Sequence, residues 1–180
     1  TLANQLTILR MLLIPVFVIC VVYDRLGAAF GTFLVAGVTD ALDGLAARRS
    51  GERTALGAWL DPAADKLLAV TSFIVLTVPV FPLTHRIPVW LTILVISRDV
   101  VIVAVVAIVN LAIGPRTFKP SIWGKCATAS YIALVVVVMF FNWLRIPSVL
   151  VDVAIWLAAG LTAVSAADYF VRVRRIVNDH

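Results

Sequence analysis

Six apolar runs, each near the ~20 residues needed to cross the hydrocarbon core of a bilayer, constrain this 180-residue chain more than any other feature. They fall at about 6–23, 27–47, 58–79, 88–111, 122–143 and 147–171, separated only by short polar or Pro/Gly-containing stretches. A backbone in lipid must satisfy its own hydrogen bonds, so runs of this length read as helices. The Val-rich stretches at 100–109 and 135–138 would suggest strands in water, but their length and lack of alternation favour helix. The expectation is an all-α membrane protein, a six-transmembrane-helix bundle forming a single domain over 1–180. The first run lacks a basic leader and a clear small-residue cleavage site and contains Arg10, so it reads as the first membrane helix rather than a signal peptide.

Composition agrees, with 62% hydrophobic and only 14% charged residues. Soluble domains average about half apolar and a quarter charged. The net charge of +5 sits between the apolar runs, not in a stripe interleaved with aromatics, which argues against nucleic-acid binding. Cys20 and Cys126 lie inside apolar runs and suggest packing, not a disulfide. His85 and His180 have no neighbours in sequence that suggest a metal motif. Arg48, Arg49, Arg53, Arg116, Lys119, Arg172, Arg174 and Arg175 fall on one side of the expected topology, and Arg25, Arg86 and Arg145 on the other. The first side is therefore expected to be cytoplasmic, with both termini.

Residues 39–66, TDALDGLAARRSGERTALGAWLDPAADK, carry the chemistry. Asp40 and Asp43 are three apart near the end of the second run, and Asp61 and Asp65 four apart near the start of the third. On helices each pair shares a face, and a tight connection would bring the two faces together. Two carboxylates ~4 Å apart repel by ~4 kcal/mol at an effective dielectric of about 20. Lys66 and Arg48 offset part of that charge, but a divalent cation does so more directly. Oxygen ligands without histidine or cysteine point to Mg2+ or Mn2+, and two such ions would clamp a pyrophosphate. The competing reading is a set of interfacial aspartates that cap helices or pair with Arg48, Arg49 and Lys66. Gly44, Ala46, Ala47 and Gly57 remove side chains beside the carboxylates, which suits close helix packing and equally the approach of a flat nucleotide.

The spacing Asp40-x-x-Asp43-Gly44-x-x-Ala47-Arg48, eight residues, Gly57-x-x-x-Asp61-x-x-x-Asp65 resembles the complete signature of the CDP-alcohol phosphatidyltransferase family. The resemblance extends over nearly the whole chain and implies transfer of a phosphatidyl group from CDP-diacylglycerol to an alcohol, with release of CMP. By the same resemblance, Asp40, Asp43, Asp61 and Asp65 would ligate two Mg2+ or Mn2+ ions. Gly44, Ala47 and Gly57 would line the cytidine pocket, Arg48 would hold the nucleotide end, and Asp65 would be the general base. The site would lie at the cytoplasmic face of the inner (plasma) membrane, in a homodimer.

Asn4, Thr7 and Arg10 are similar to the opening of bacterial phosphatidylglycerophosphate synthases within that family, and share one face of the first helix. They are expected to wall the nucleotide and headgroup site, the alternative for Arg10 being an interfacial arginine that snorkels. Arg98, Arg116, Lys119 and Lys125, with Arg10, are candidates for binding an anionic acceptor. Glycerol 3-phosphate is the expected acceptor, because the N-terminal pattern and Gly124-Lys125-x-x-Thr128 resemble phosphatidylglycerophosphate synthases. Ser97-Arg98-Asp99 is closer to CMP-forming cardiolipin synthases, which use phosphatidylglycerol, and the uncharged stretch 103–110 departs from the synthase pattern. Outside the family, an aspartate-rich prenyltransferase lacks the Gly-x-x-Ala-Arg element. A cation carrier would place its carboxylates nearer the membrane midplane.

Overall fold

The computed structural model describes the backbone of residues 2–50, 55–113 and 121–178, and side chains over 5–42, 64–112 and 121–175. The described residues form six helices: α1 Leu2–Val22, α2 Leu26–Ser50, α3 Ala55–Thr77, α4 Val89–Ile113, α5 Ile122–Leu144 and α6 Val149–Asn178. There is no strand among the described residues, so the Val-rich segments of α4 and α5 are helical, as their length required. Four described segments are long and apolar enough to cross a membrane: Gln5–Val22, Val89–Ala112, Ile122–Leu144 and Val149–Arg175. A shorter apolar stretch, Leu26–Leu42, occupies most of α2.

Large apolar side chains such as Leu9, Leu12, Val16 and Ile19 line the outer face of α1. In water such a surface would be a liability, whereas facing lipid it is what a membrane helix requires. The chain is an integral membrane protein. Hydroxyls inside the helices turn back onto their own backbone, as Ser72 does to the Leu68 carbonyl and Thr162 to that of Ala158. That pattern satisfies polar groups where water is absent.

The chain divides into two compact units. The first comprises residues 1–86 and 135–148, hence α1, α2, α3 and the end of α5. In α1, Thr7, Arg10, Phe17 and Val21 are buried at helical spacing, polar at one end and apolar at the other. Phe17 meets Phe33 of α2 with ring centroids 6.1 Å apart, so α1 and α2 run antiparallel. Their connection closes tightly because Asp24 adopts φ 56°, its amide bonding to the Val21 carbonyl and that of Arg25 to Cys20. This is a Schellman stop built on aspartate instead of glycine. Arg145 ends α5 in the same way at φ 55°, with its amide on Asn142 and that of Ile146 on Phe141. The two helix-ending residues pair with each other, Arg145 Nη2 lying 2.6 Å from Asp24 Oδ2.

The second unit comprises residues 87–134 and 149–180, hence α4, the start of α5, and α6. Trp90 stacks near Trp156 at 5.5 Å, and the Tyr169 hydroxyl donates to the Ile102 carbonyl at 3.4 Å. Sequence position rises together on both helices, so α4 and α6 are parallel. The start of α5 runs antiparallel to α6, with Gly124 near Ser165 and the Tyr131 hydroxyl 2.8 Å from Thr162 Oγ1. Ser121 caps α5 by accepting the amide of Gly124 at 3.0 Å.

Candidate active site

The site begins with the antiparallel pairing of α1 and α2. That pairing sets the N-terminal end of α1 beside the later turns of α2, while α3 packs against α1. Arg10, on the buried face of α1, is 0% exposed. Its Nη1 donates to Asp65 Oδ1 of α3 at 2.5 Å, and its Nη2 lies 3.0 Å from Asp40 Oδ1 of α2. The approach to Asp40 is an ion pair without hydrogen-bond alignment, for neither Nη2 nor Nε has a hydrogen-bond partner among the described residues. The two carboxylates are 47% and 46% exposed, so each keeps a face toward the exterior while its inner oxygen meets the guanidinium.

Arg10 therefore does not snorkel. It lies inside the first unit, and Asp40 and Asp65 meet on it across three helices. The sequence suggested Arg48 and Lys66 as counter-charges for the aspartates. Arg10 was instead assigned to the headgroup wall, since nothing in a linear pattern shows which way one arginine on an apolar helix points. Thr7, one turn earlier on the same face, is also buried. Lys66 and Lys125 are exposed.

Asp43, Gly44, Ala47 and Arg48 belong to α2 and Gly57 and Asp61 to α3, but their side chains lie outside the described ones. The same holds for the side chain of Asn4 in α1, whereas Arg116 and Lys119 lie wholly outside the described residues. Of the four signature aspartates, the described pair are the first and the last.

Arg98 sits in the second unit, with its side chain 10% exposed. Its Nη1 donates to Asp99 at 2.8 Å and its Nη2 to Ser165 Oγ of α6 at 2.5 Å. Gly124 of α5 makes room for it, since a Cβ there would lie 3.2 Å from Arg98 Nη2. A residue that the sequence makes a candidate for acceptor binding is thus held by a neighbouring carboxylate and a hydroxyl from α6. Ser165 gave no signal in the sequence beyond being a small polar residue in an apolar run.

A family model described as CDP-alcohol phosphatidyltransferase matches residues 1–164. The chain belongs to that family. Among similar proteins is a probable phosphatidylglycerophosphate synthase of Mycobacterium tuberculosis, 32% identical over 97% of this chain and 82% of its own length. A CDP-diacylglycerol–glycerol-3-phosphate 3-phosphatidyltransferase of Haemophilus influenzae is 35% identical over 91% of this chain and 88% of its own. The human CMP-forming cardiolipin synthase is 34% identical over 94% of this chain and 60% of its own. The protein is accordingly a CDP-alcohol phosphatidyltransferase, an enzyme of phospholipid biosynthesis.

Proposed function

We propose that this phosphatidyltransferase transfers the phosphatidyl group of CDP-diacylglycerol to glycerol 3-phosphate and releases CMP. The observation that carries the site is the meeting of Asp40 and Asp65 on Arg10, which joins the two ends of the signature at one locus. The relatives named for glycerol 3-phosphate transfer or phosphatidylglycerophosphate synthesis support the acceptor.

A divalent cation fits this locus. Two carboxylates from different helices already converge within reach of one positive group, each with a face left exposed. An all-oxygen donor set suits Mg2+ or Mn2+. Asp40, Asp43, Asp61 and Asp65 would hold it, as two ions. Bound there, the metal would neutralise the pyrophosphate and stabilise the charge that develops on the departing CMP. The protein's own groups supply the rest. Gly44, Ala47 and Gly57 leave room for the cytidine, Arg48 holds the nucleotide, and Asn4 and Thr7 wall the pocket. Asp65 accepts the proton of the acceptor hydroxyl as it attacks the β-phosphorus. Arg98, Arg116, Lys119 and Lys125 draw the acceptor's phosphate by charge.

The alternation of helix directions within each unit supports six crossings, and the family match over residues 1–164 supports one domain over 1–180. An even number of crossings places both termini on the same side. The arginine-rich connections support a cytoplasmic active site at the inner membrane and cytoplasmic termini. The enzyme works as a homodimer in this reading.

The second reading is cardiolipin synthesis with phosphatidylglycerol as acceptor. It is favoured by the pairing of Arg98 with Asp99, which leaves less free charge for a small doubly charged phosphate, and by the human relative. Offering glycerol 3-phosphate and phosphatidylglycerol separately, and identifying the lipid product by mass spectrometry, decides between them. Phosphatidylglycerophosphate as product supports the first reading. Cardiolipin as sole product replaces it with the second.

A further inference from the structure

We infer that Arg10 is a built-in counter-ion for the metal site, a positioning residue that holds Asp40 and Asp65 together when no divalent cation does. The inference rests on the metal reading of the aspartates. An arginine that is 0% exposed on an apolar helix needs compensation for its lost hydration, and here it comes from two carboxylates on two other helices. The dependence is mutual. Asp40 and Asp65 repel each other as they converge, and the guanidinium removes that repulsion at the inner oxygen of each. Its planar fork addresses two acceptors at once, with Nη1 on one carboxylate and Nη2 near the other.

Placement separates this role from substrate binding. The guanidinium is closed off behind the carboxylates, whose exposed faces lie outward, so a substrate approaching from the exterior meets Asp40 and Asp65 first. Arg10 and a bound cation would therefore share the same two carboxylates. Two cations sharing two anions oppose each other in binding, and by linkage the loss of one strengthens the other. The arginine thus keeps the empty site assembled at the cost of some metal affinity, which lets the cation come and go without the three helices parting.

The test is Arg10→Gln in full-length protein in mild detergent, with Mn2+ as the probe. Free Mn2+ is followed by electron paramagnetic resonance, and thermal unfolding is followed in EDTA and in saturating Mn2+. The variant is expected to unfold well below the wild type in EDTA and to recover most of the difference in Mn2+. Its Mn2+ dissociation constant is expected to fall about tenfold. Arg10→Lys, which keeps the charge, is expected to return both readouts toward wild type. Equal destabilisation with and without Mn2+ would mean a purely structural arginine and would overturn the inference. So would unchanged or weaker Mn2+ binding in Arg10→Gln. Asp40→Asn separates the two readings: if it abolishes Mn2+ binding while Arg10→Gln behaves as wild type, only the counter-ion role fails. Absence of Mn2+ binding in the wild type would bring down the metal reading, and this inference with it.

Discussion

Nη1 of Arg10 lies 2.5 Å from Oδ1 of Asp65, a contact between α1 and α3 across 55 positions of sequence. It fixes where the last signature aspartate sits relative to the first, because the same guanidinium reaches Asp40 of α2. The amide of asparagine keeps the shape of Asp65 but neither accepts the acceptor's proton nor carries charge. Asp65→Asn is expected to lower kcat by about a hundredfold or more, the scale of losing a general base. Steady-state CMP release checks this, and size-exclusion chromatography shows that the variant is folded.

Arg98 is nine-tenths buried, and Ser165 accepts one of its hydrogen bonds. Ser165→Ala leaves that donor unsatisfied at a cost of about 1–3 kcal/mol. A lower melting temperature in detergent is expected, together with a raised KM for the acceptor and an unchanged KM for CDP-diacylglycerol.

Gly27 opens α2 directly against Trp143, where an added Cβ would lie 2.7 Å from the indole Nε1. Gly27→Ala is expected to destabilise by about 1–3 kcal/mol through overpacking. Adding Trp143→Phe removes the clashing atom, so the double variant should recover much of the loss. Thermal unfolding of both singles and the double measures that coupling.

Asn142 is fully buried on α5 and bonds both backbone groups of His85: its Oδ1 accepts the amide at 2.8 Å and its Nδ2 donates to the carbonyl at 2.9 Å. The His85 ring continues the link, with Nε2 at 3.2 Å accepting the amide of Ser148. Asn142→Ala removes both bonds and is expected to cost about 2 kcal/mol. Asn142→Asp keeps the acceptor but sets a buried carboxylate oxygen against the His85 carbonyl, and should cost at least as much. Thermal unfolding again provides the readout.

Much of the molecule was legible because membrane helices are written in long apolar runs. All six runs emerged as helices, with most ends within a few residues of the runs and α6 continuing seven residues further, to Asn178; Asp24 and Arg145 stop α1 and α5. Asp and Arg at positive φ carry no such signal in sequence, where glycine would. Asp40 and Asp65 announced themselves by spacing and by the expense of charge in an apolar setting. Their partner did not, since an ion pair 55 positions apart depends on how α1 is rotated. The same reason hid Ser165 beside Arg98 and Asn142 beside His85. The first is a contact between helices and the second one between α5 and the α3–α4 connection, both settled by packing that a periodic pattern does not record.

Metal-dependent phosphatidyl transfer is read directly from CMP release from CDP-diacylglycerol by the purified protein. The reaction is run with glycerol 3-phosphate or phosphatidylglycerol in Mg2+ or Mn2+, and again in EDTA. CMP formation is expected to need one acceptor and a divalent cation, and to disappear in Asp65→Asn. CMP release undiminished by EDTA or by that substitution would contradict it, as would folded, metal-binding protein that releases none with either acceptor.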